Sequence, residues 1–159
     1  MSKFASFLAA TRRCTEQCKT MLTFEQEKRQ ALLSDDLDRL ESMIQAQQAA
    51  IMKLESLEKM RLEAQEKAGF SQMKAEEILA LLEDGPDKEA LAEQVGILKT
   101  TLDEIRYQNS KAVEIARNNL QIMEKLATGK EQPARQGVYS PKQVGGAGWQ
   151  GGSSFDTKY

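Results

Sequence analysis

Residues 86–128 read PDKEALAEQVGILKTTLDEIRYQNSKAVEIARNNLQIMEKLAT. One set of positions in this stretch is Val95, Leu102, Asn109, Ala116 and Met123, and a second is Leu91, Leu98, Ile105, Ala112, Asn119 and Leu126. Together they keep a 4-3 spacing over about five heptads, broken by two asparagines, which predicts one uninterrupted amphipathic helix. At 1.5 Å per residue that helix is roughly 60 Å long, too long for one layer of a round domain. Its character changes near Val113. Before that point the positions beside the seam are polar (Lys99, Thr101, Arg106, Gln108). From there on they are apolar (Val113, Ile115, Leu120, Ile122, Ala127). A wide apolar stripe needs more cover than a narrow one, so the C-terminal half of this helix is where function is expected.

Working outward, the chain is 159 residues with a formal charge of −2 and no histidine, which suits one domain and gives no net field that would attract nucleic acid. Three prolines, ten glycines and few aromatics, with abundant Ala, Leu, Glu, Gln and Lys, point to an all-α fold. The longest run of large apolar residues, Ile78 to Leu82, is far too short to cross a membrane, and the N-terminus has no extended apolar core of a signal peptide.

Before the long helix, the pattern predicts helix 1 over about Lys3 to Leu33, with a stripe of Phe4, Phe7, Thr11, Cys14, Cys18 and Met21. Its charged stretch Glu25, Glu27, Lys28, Arg29 reads as a solvated side. No Gly or Pro marks the next break, but Ser34, Asp35 and Asp36 can cap a new helix. Periodicity restarts there as Leu37, Leu40, Ile44, Ile51 and Leu54, then Leu57, Met60 and Leu62, with Gln47 as one polar seam position. Helix 2 is expected over about Asp36 to Ala68, antiparallel to helix 1 and ended by Gly69. A short helix 3, about Gln72 to Glu83 after a Ser71 cap, is too brief to stand alone. Gly85, Pro86 and Asp87 then stop it and start the long helix. The expected architecture is an elongated antiparallel bundle of three long helices and one short one, residues 1–128.

The composition shifts after Thr128. Residues 129–159 hold seven of the ten glycines, two of the three prolines and the only Trp, with four Lys/Arg against Glu131 and Asp156. That is +2, which leaves −4 for the helical part. Such a segment cannot bury a core, so a disordered tail is expected. Its spaced aromatics, Tyr139, Trp149, Phe155 and Tyr159, read either as contacts for a partner or as incidental low complexity.

Catalysis finds little support. The commonest general base is missing, the carboxylates are scattered, and Gly145 to Gly148 is tail rather than a phosphate cradle. Cys14 and Cys18 share one helix face, but nothing completes a zinc shell, so they read as small core residues. No cofactor and no metal are expected. No helix shows a basic stripe for nucleic acid. What remains is a helical interaction protein. Asn109 on the seam suits a register-fixing buried amide, or alternatively it and Asn119 face solvent.

Several stretches resemble the FlgN family of flagellar export chaperones. They are the run Leu22 to Leu33, then Asp35 to Leu40, then Gln45 to Arg61, and a long helix with Asn109, Asn119-Leu120 and Met123. A Tyr-Ser-Pro at Tyr139 to Pro141 and a Phe-Asp-x-Lys ending at Phe155 to Lys158 complete the likeness. The glycine-rich stretch from Gly145 to Gly152 is longer than that pattern calls for. The resemblance implies a cytoplasmic, non-enzymatic chaperone that binds the C-terminal helical segments of hook–filament junction (hook-associated) proteins. It further implies docking on the cytoplasmic domain of the export gate, with Tyr139 at the matching tail position. A chaperone for such clients offers a groove to an amphipathic helix. The groove expected here is lined by Val113, Ile115, Leu120, Ile122 and Met123, with Ile78, Leu81 and Leu82 of helix 3 as further candidates; the other reading is that these residues close the bundle's own core. No membrane insertion is expected, and the free chain is expected as a monomer or weak homodimer. The alternative from another class is a structural coiled-coil or scaffold protein that self-associates through the long helix.

Overall fold

The computed structural model describes residues 2–129. Four helices follow in order: α1, Lys3–Leu33; α2, Leu37–Lys67; α3, Ala75–Leu81; and α4, Pro86–Thr128. No strand occurs among the described residues, and the architecture is all-α. The stretch 130–159, including Tyr139 and the other tail aromatics, lies outside the described residues.

The turn between α1 and α2 works without Gly or Pro. Asp35 takes the left-handed conformation (φ 53°), which a short polar side chain tolerates. Its N–H reaches Leu32 O and the Asp36 N–H reaches Ala31 O, which closes α1 in a Schellman motif. Asp36 then starts α2, its carboxylate accepting from the Arg39 N–H at 3.1 Å. Gly69 (φ 93°) closes α2 in the same way, with Gly69 N–H on Glu66 O and Phe70 N–H on Gln65 O. The helix after it is shorter than expected. Gln72 is left-handed (φ 59°), and Gln65 Nε2 donates to the carbonyls of both Phe70 and Met73. The loop is therefore pinned until Lys74, whose N–H is accepted by Glu77, and α3 begins at Ala75.

α1 runs up, α2 down and α4 up, so α1 and α4 are parallel and α2 opposes both. α1 packs along both of the others. Three apolar clusters record the register. At the bottom Phe7 meets Ala75, Ile78, Leu91 and Val95. In the middle Cys18 and Met21 meet Ala50, Leu54, Leu98, Leu102 and Ile105. At the top Ala31 and Leu32 meet Leu40, Ala112 and Ala116. The two thiols are fully buried, and desolvation pushes both up to about 12, so they stay protonated core groups at neutral pH.

Between the middle and top clusters lies a polar layer, and here the expectation of a solvated charged face on helix 1 is corrected. Glu25 and Lys28 are buried. The Lys28 ammonium sits 3.0 Å from Glu25 Oε2 and donates to Glu25 Oε1 at 3.1 Å, Gln47 Oε1 at 3.3 Å and Asn109 Oδ1 at 3.4 Å. One cation thus spends its donors on all three long helices. Gln47 Nε2 also donates to Glu25 Oε1. Asn109 is half-buried within the seam, not turned to solvent. A second departure concerns α2, whose inward positions below Leu54 are Glu58, Arg61 and Gln65, while Met60 is exposed. Arg61 forks onto both oxygens of Glu58 at 2.7 and 2.8 Å and donates to Gln65 at 2.8 Å. The seven-residue spacing of Leu40, Gln47, Leu54 and Arg61 continues, but with polar occupants.

Candidate functional site

α4 has 43 residues against 31 in α1 and in α2. The excess emerges at the top. Asn119 Nδ2 lies 3.5 Å from Leu32 O, at the last turn of α1. The residues of α4 past Asn119 run on for roughly 13 Å beyond the end of the hairpin. Above Ala116 the seam is covered only in part: Asn119 reaches Leu32 O and Met123 packs against the top cluster, while Leu126 is exposed.

The side chains there follow this geometry. Ile122 is 57% exposed and Leu126 62%, and Leu33 on the neighbouring end of α1 is 66% exposed. Ile115, Asn119, Ile122 and Leu126 fall at helical spacing on one face, so the face that packs downward on the bundle continues upward as a bare apolar surface. Burying each of these large side chains would gain about 1.5–3 kcal/mol. A partner helix supplies that cover, and the bundle does not. At the α1–α2 turn, Asp35, Asp36, Asp38 and Glu41 are exposed, with one exposed cation, Arg39, among them.

The five residues expected to line a groove are all on the upper half of α4, but they divide. Ile122 stands free. Ile115 and Met123 are half-buried and pack against the top cluster. Val113 and Leu120 are half-buried too. The candidates from helix 3 do not join them: Ile78 is buried in the bottom cluster, Leu82 packs against it, and Leu81 is exposed at that same end. α3 reaches α4 through its N-terminal half, where Lys99 pairs with Glu76 at 3.0 Å. Helix 3 is thus excluded from a groove at the top by the length of the bundle. Two residues of the patch, Leu33 and Leu126, escaped the sequence reading of the site. The signal was present in the lengths of the helices, since the longer one must overhang.

The bottom end offers a different recess, between the end of α2 and the loop into α3, lined by Leu62, Glu66, Ser71, Gln72 and Lys74. Its lining mixes polar groups with the apolar side chains of Leu62 and Met73, and the Arg61 and Gln65 side chains that also line it are engaged with Glu58 and with loop carbonyls. No group of His, Cys, Asp or Glu suited to a metal ion occurs among the described residues. No helix among them is long and apolar enough to cross a membrane.

Residues 1–144 match the protein family described as FlgN protein. No curated protein and no solved structure gives a match.

Proposed function

This chain belongs to the FlgN family of flagellar export chaperones, and from that premise we propose that it receives the C-terminal helical segments of hook–filament junction proteins on the overhanging end of α4. It holds them unassembled in the cytoplasm and brings them to the cytoplasmic domain of the export gate. The observation that carries this reading is the bare apolar face of Ile122 and Leu126 on a helix that outruns its own bundle, with Leu33 exposed at the end of α1 next to the Asn119–Leu32 contact. Val113, Ile115, Leu120 and Met123 form the flank of that face. An amphipathic client helix laid along it would bury its i, i+3, i+4 anchors there and complete the third helix that the top of the bundle lacks. Tyr139, ten residues past Gly129, is the proposed contact with the gate.

Replacing Leu120 and Ile122 together by Asp should abolish binding of a client's C-terminal fragment in calorimetry or co-purification, with helicity by circular dichroism largely kept. Full-strength binding by that variant places the client elsewhere. Tyr139→Ala should weaken capture by the gate's cytoplasmic domain and leave client affinity unchanged. Loss of client binding instead would make the tail part of the client site. The rival reading, a scaffold protein that pairs through the whole of α4, is disfavoured by the filled seam: Leu91, Val95, Leu98, Leu102, Ile105, Ala112 and Ala116 are already buried in the bundle's own three clusters. Only the last turns are left for a second copy.

A further inference from the structure

The exposed end of α4 is followed at once by the part of the chain with the opposite charge. Gly129 ends the helix three residues after Leu126. Beyond it come Lys130, Arg135, Lys142 and Lys158 against Glu131 and Asp156, interleaved with Tyr139, Trp149 and Phe155. The surface beside their point of attachment is the reverse in kind. It is an apolar patch of Ile122, Leu126 and Leu33, and the adjoining α1–α2 turn exposes Asp35, Asp36, Asp38 and Glu41 against one cation, Arg39.

We propose that the segment from Tyr139 to Phe155 is the resident occupant of this patch. Its aromatic side chains cover Ile122, Leu126 and Leu33, Lys142 together with Lys130 and Arg135 on the stretch leading into it adds attraction to the acidic α1–α2 turn, and any helix that binds there must first displace it. The reach is ample. Twenty residues separate Gly129 from Trp149, and a Gly-rich coil of that length has a root-mean-square span of about 25 Å. The patch begins within one turn of the attachment point. A tether that short holds the segment at an effective concentration on the order of millimolar, so a contact too weak to form between separate molecules still closes within one. Tyr and Trp suit the task, because each offers a large apolar face with little side-chain entropy to lose. The net negative charge of the turn adds attraction that salt should screen. The inference stands without the client reading, since it concerns only surfaces of this chain.

Trp149 is the only tryptophan, so the intrinsic emission of the full chain reports on this contact alone. In the free protein the emission should be blue-shifted and shielded from acrylamide relative to a synthetic peptide of residues 130–159, independently of protein concentration. Ile122→Asp with Leu126→Asp should return it to the peptide's values. Leu33→Ser, which sits on the other helix, should move it in the same direction even where the aspartates fray the end of α4. Leu81→Asp, at an equally exposed leucine at the far end of the bundle, should leave it unchanged. Three results overturn the proposal: peptide-like emission in the unaltered chain, a response to Leu81→Asp but not to the patch variants, or a blue shift that appears only as concentration rises and so belongs to a second copy. No client enters the measurement, so this proposal and the client reading fail separately.

Discussion

Lys28 is the residue on which the bundle's polar interior turns. Its ammonium is buried, pairs with Glu25 on its own helix, and donates to Gln47 of α2 and Asn109 of α4. A buried ion pair adds little stability over an apolar pair of the same shape, because desolvation offsets attraction. Removing one member, however, leaves the other charge buried and alone. Lys28→Met should therefore destabilise the fold by about 3 kcal/mol in urea titration, whereas Lys28→Met with Glu25→Leu should recover most of that loss. Equal losses in the single and double variants would mean that the lysine's stem, not its charge, is what matters. This layer was only half legible in the sequence. Gln47 and Asn109 stand at seam positions and could be read as polar seam residues. Glu25 and Lys28 share a stretch with Glu27 and Arg29, and four charges in five residues look like a solvated face. What separates them is register: Glu25 and Lys28 lie on the row that continues from Cys14, Cys18 and Met21, and Glu27 does not.

The four elements differ in how far local sequence decided them. α4 carries a long apolar period with clear ends, and its limits follow from the chain alone. The α1–α2 turn was placed by the restart of periodicity, and a left-handed Asp35 does the work usually given to Gly. α3 was overestimated because Ser71 looked like a cap, whereas Gln65 of α2 pins the carbonyls of Phe70 and Met73 and delays the helix. No local pattern announces a side chain arriving from another element. The lower half of α2 was misread for a related reason: Glu58, Arg61 and Gln65 satisfy one another, so a polar row can face inward. Within α4 the consequence is a gradient. Leu98, Ile105, Ala112 and Ala116 are fully buried, and amides beside them should exchange only on global unfolding. Past Asn119 the packing thins to Met123 against the top cluster, so amides of residues 120–128 should exchange orders of magnitude faster in the free chain and slow on addition of a client fragment. Uniform protection along α4 without client would show that its upper end is already covered.

At the scale of the whole molecule, two polar layers interrupt a thin core. The top cluster is built largely from Ala31, Ala112 and Ala116 with two leucines, and small residues bring α1 and α4 close while burying little area. An all-apolar seam of this length would hold three helices more tightly, but it would also let them slide by a heptad or exchange α4 between copies, because an apolar repeat does not mark its own register. The Glu25, Lys28, Gln47 and Asn109 layer aligns only when all three helices are in one register, since any slip strands a buried charge. Register in turn sets the length of the overhang, and so the size of the patch at the top. Replacing the four together by Leu, Met, Leu and Leu tests whether the layer is there for specificity. The expected outcome is a higher urea midpoint accompanied by dimers or larger species in light scattering, and weaker capture of a client fragment because the end of α4 is taken up by neighbours. A variant that is more stable, strictly monomeric and undiminished in client affinity would show that helix lengths and turns alone fix the register. The charged layer would then be dispensable to both fold and function.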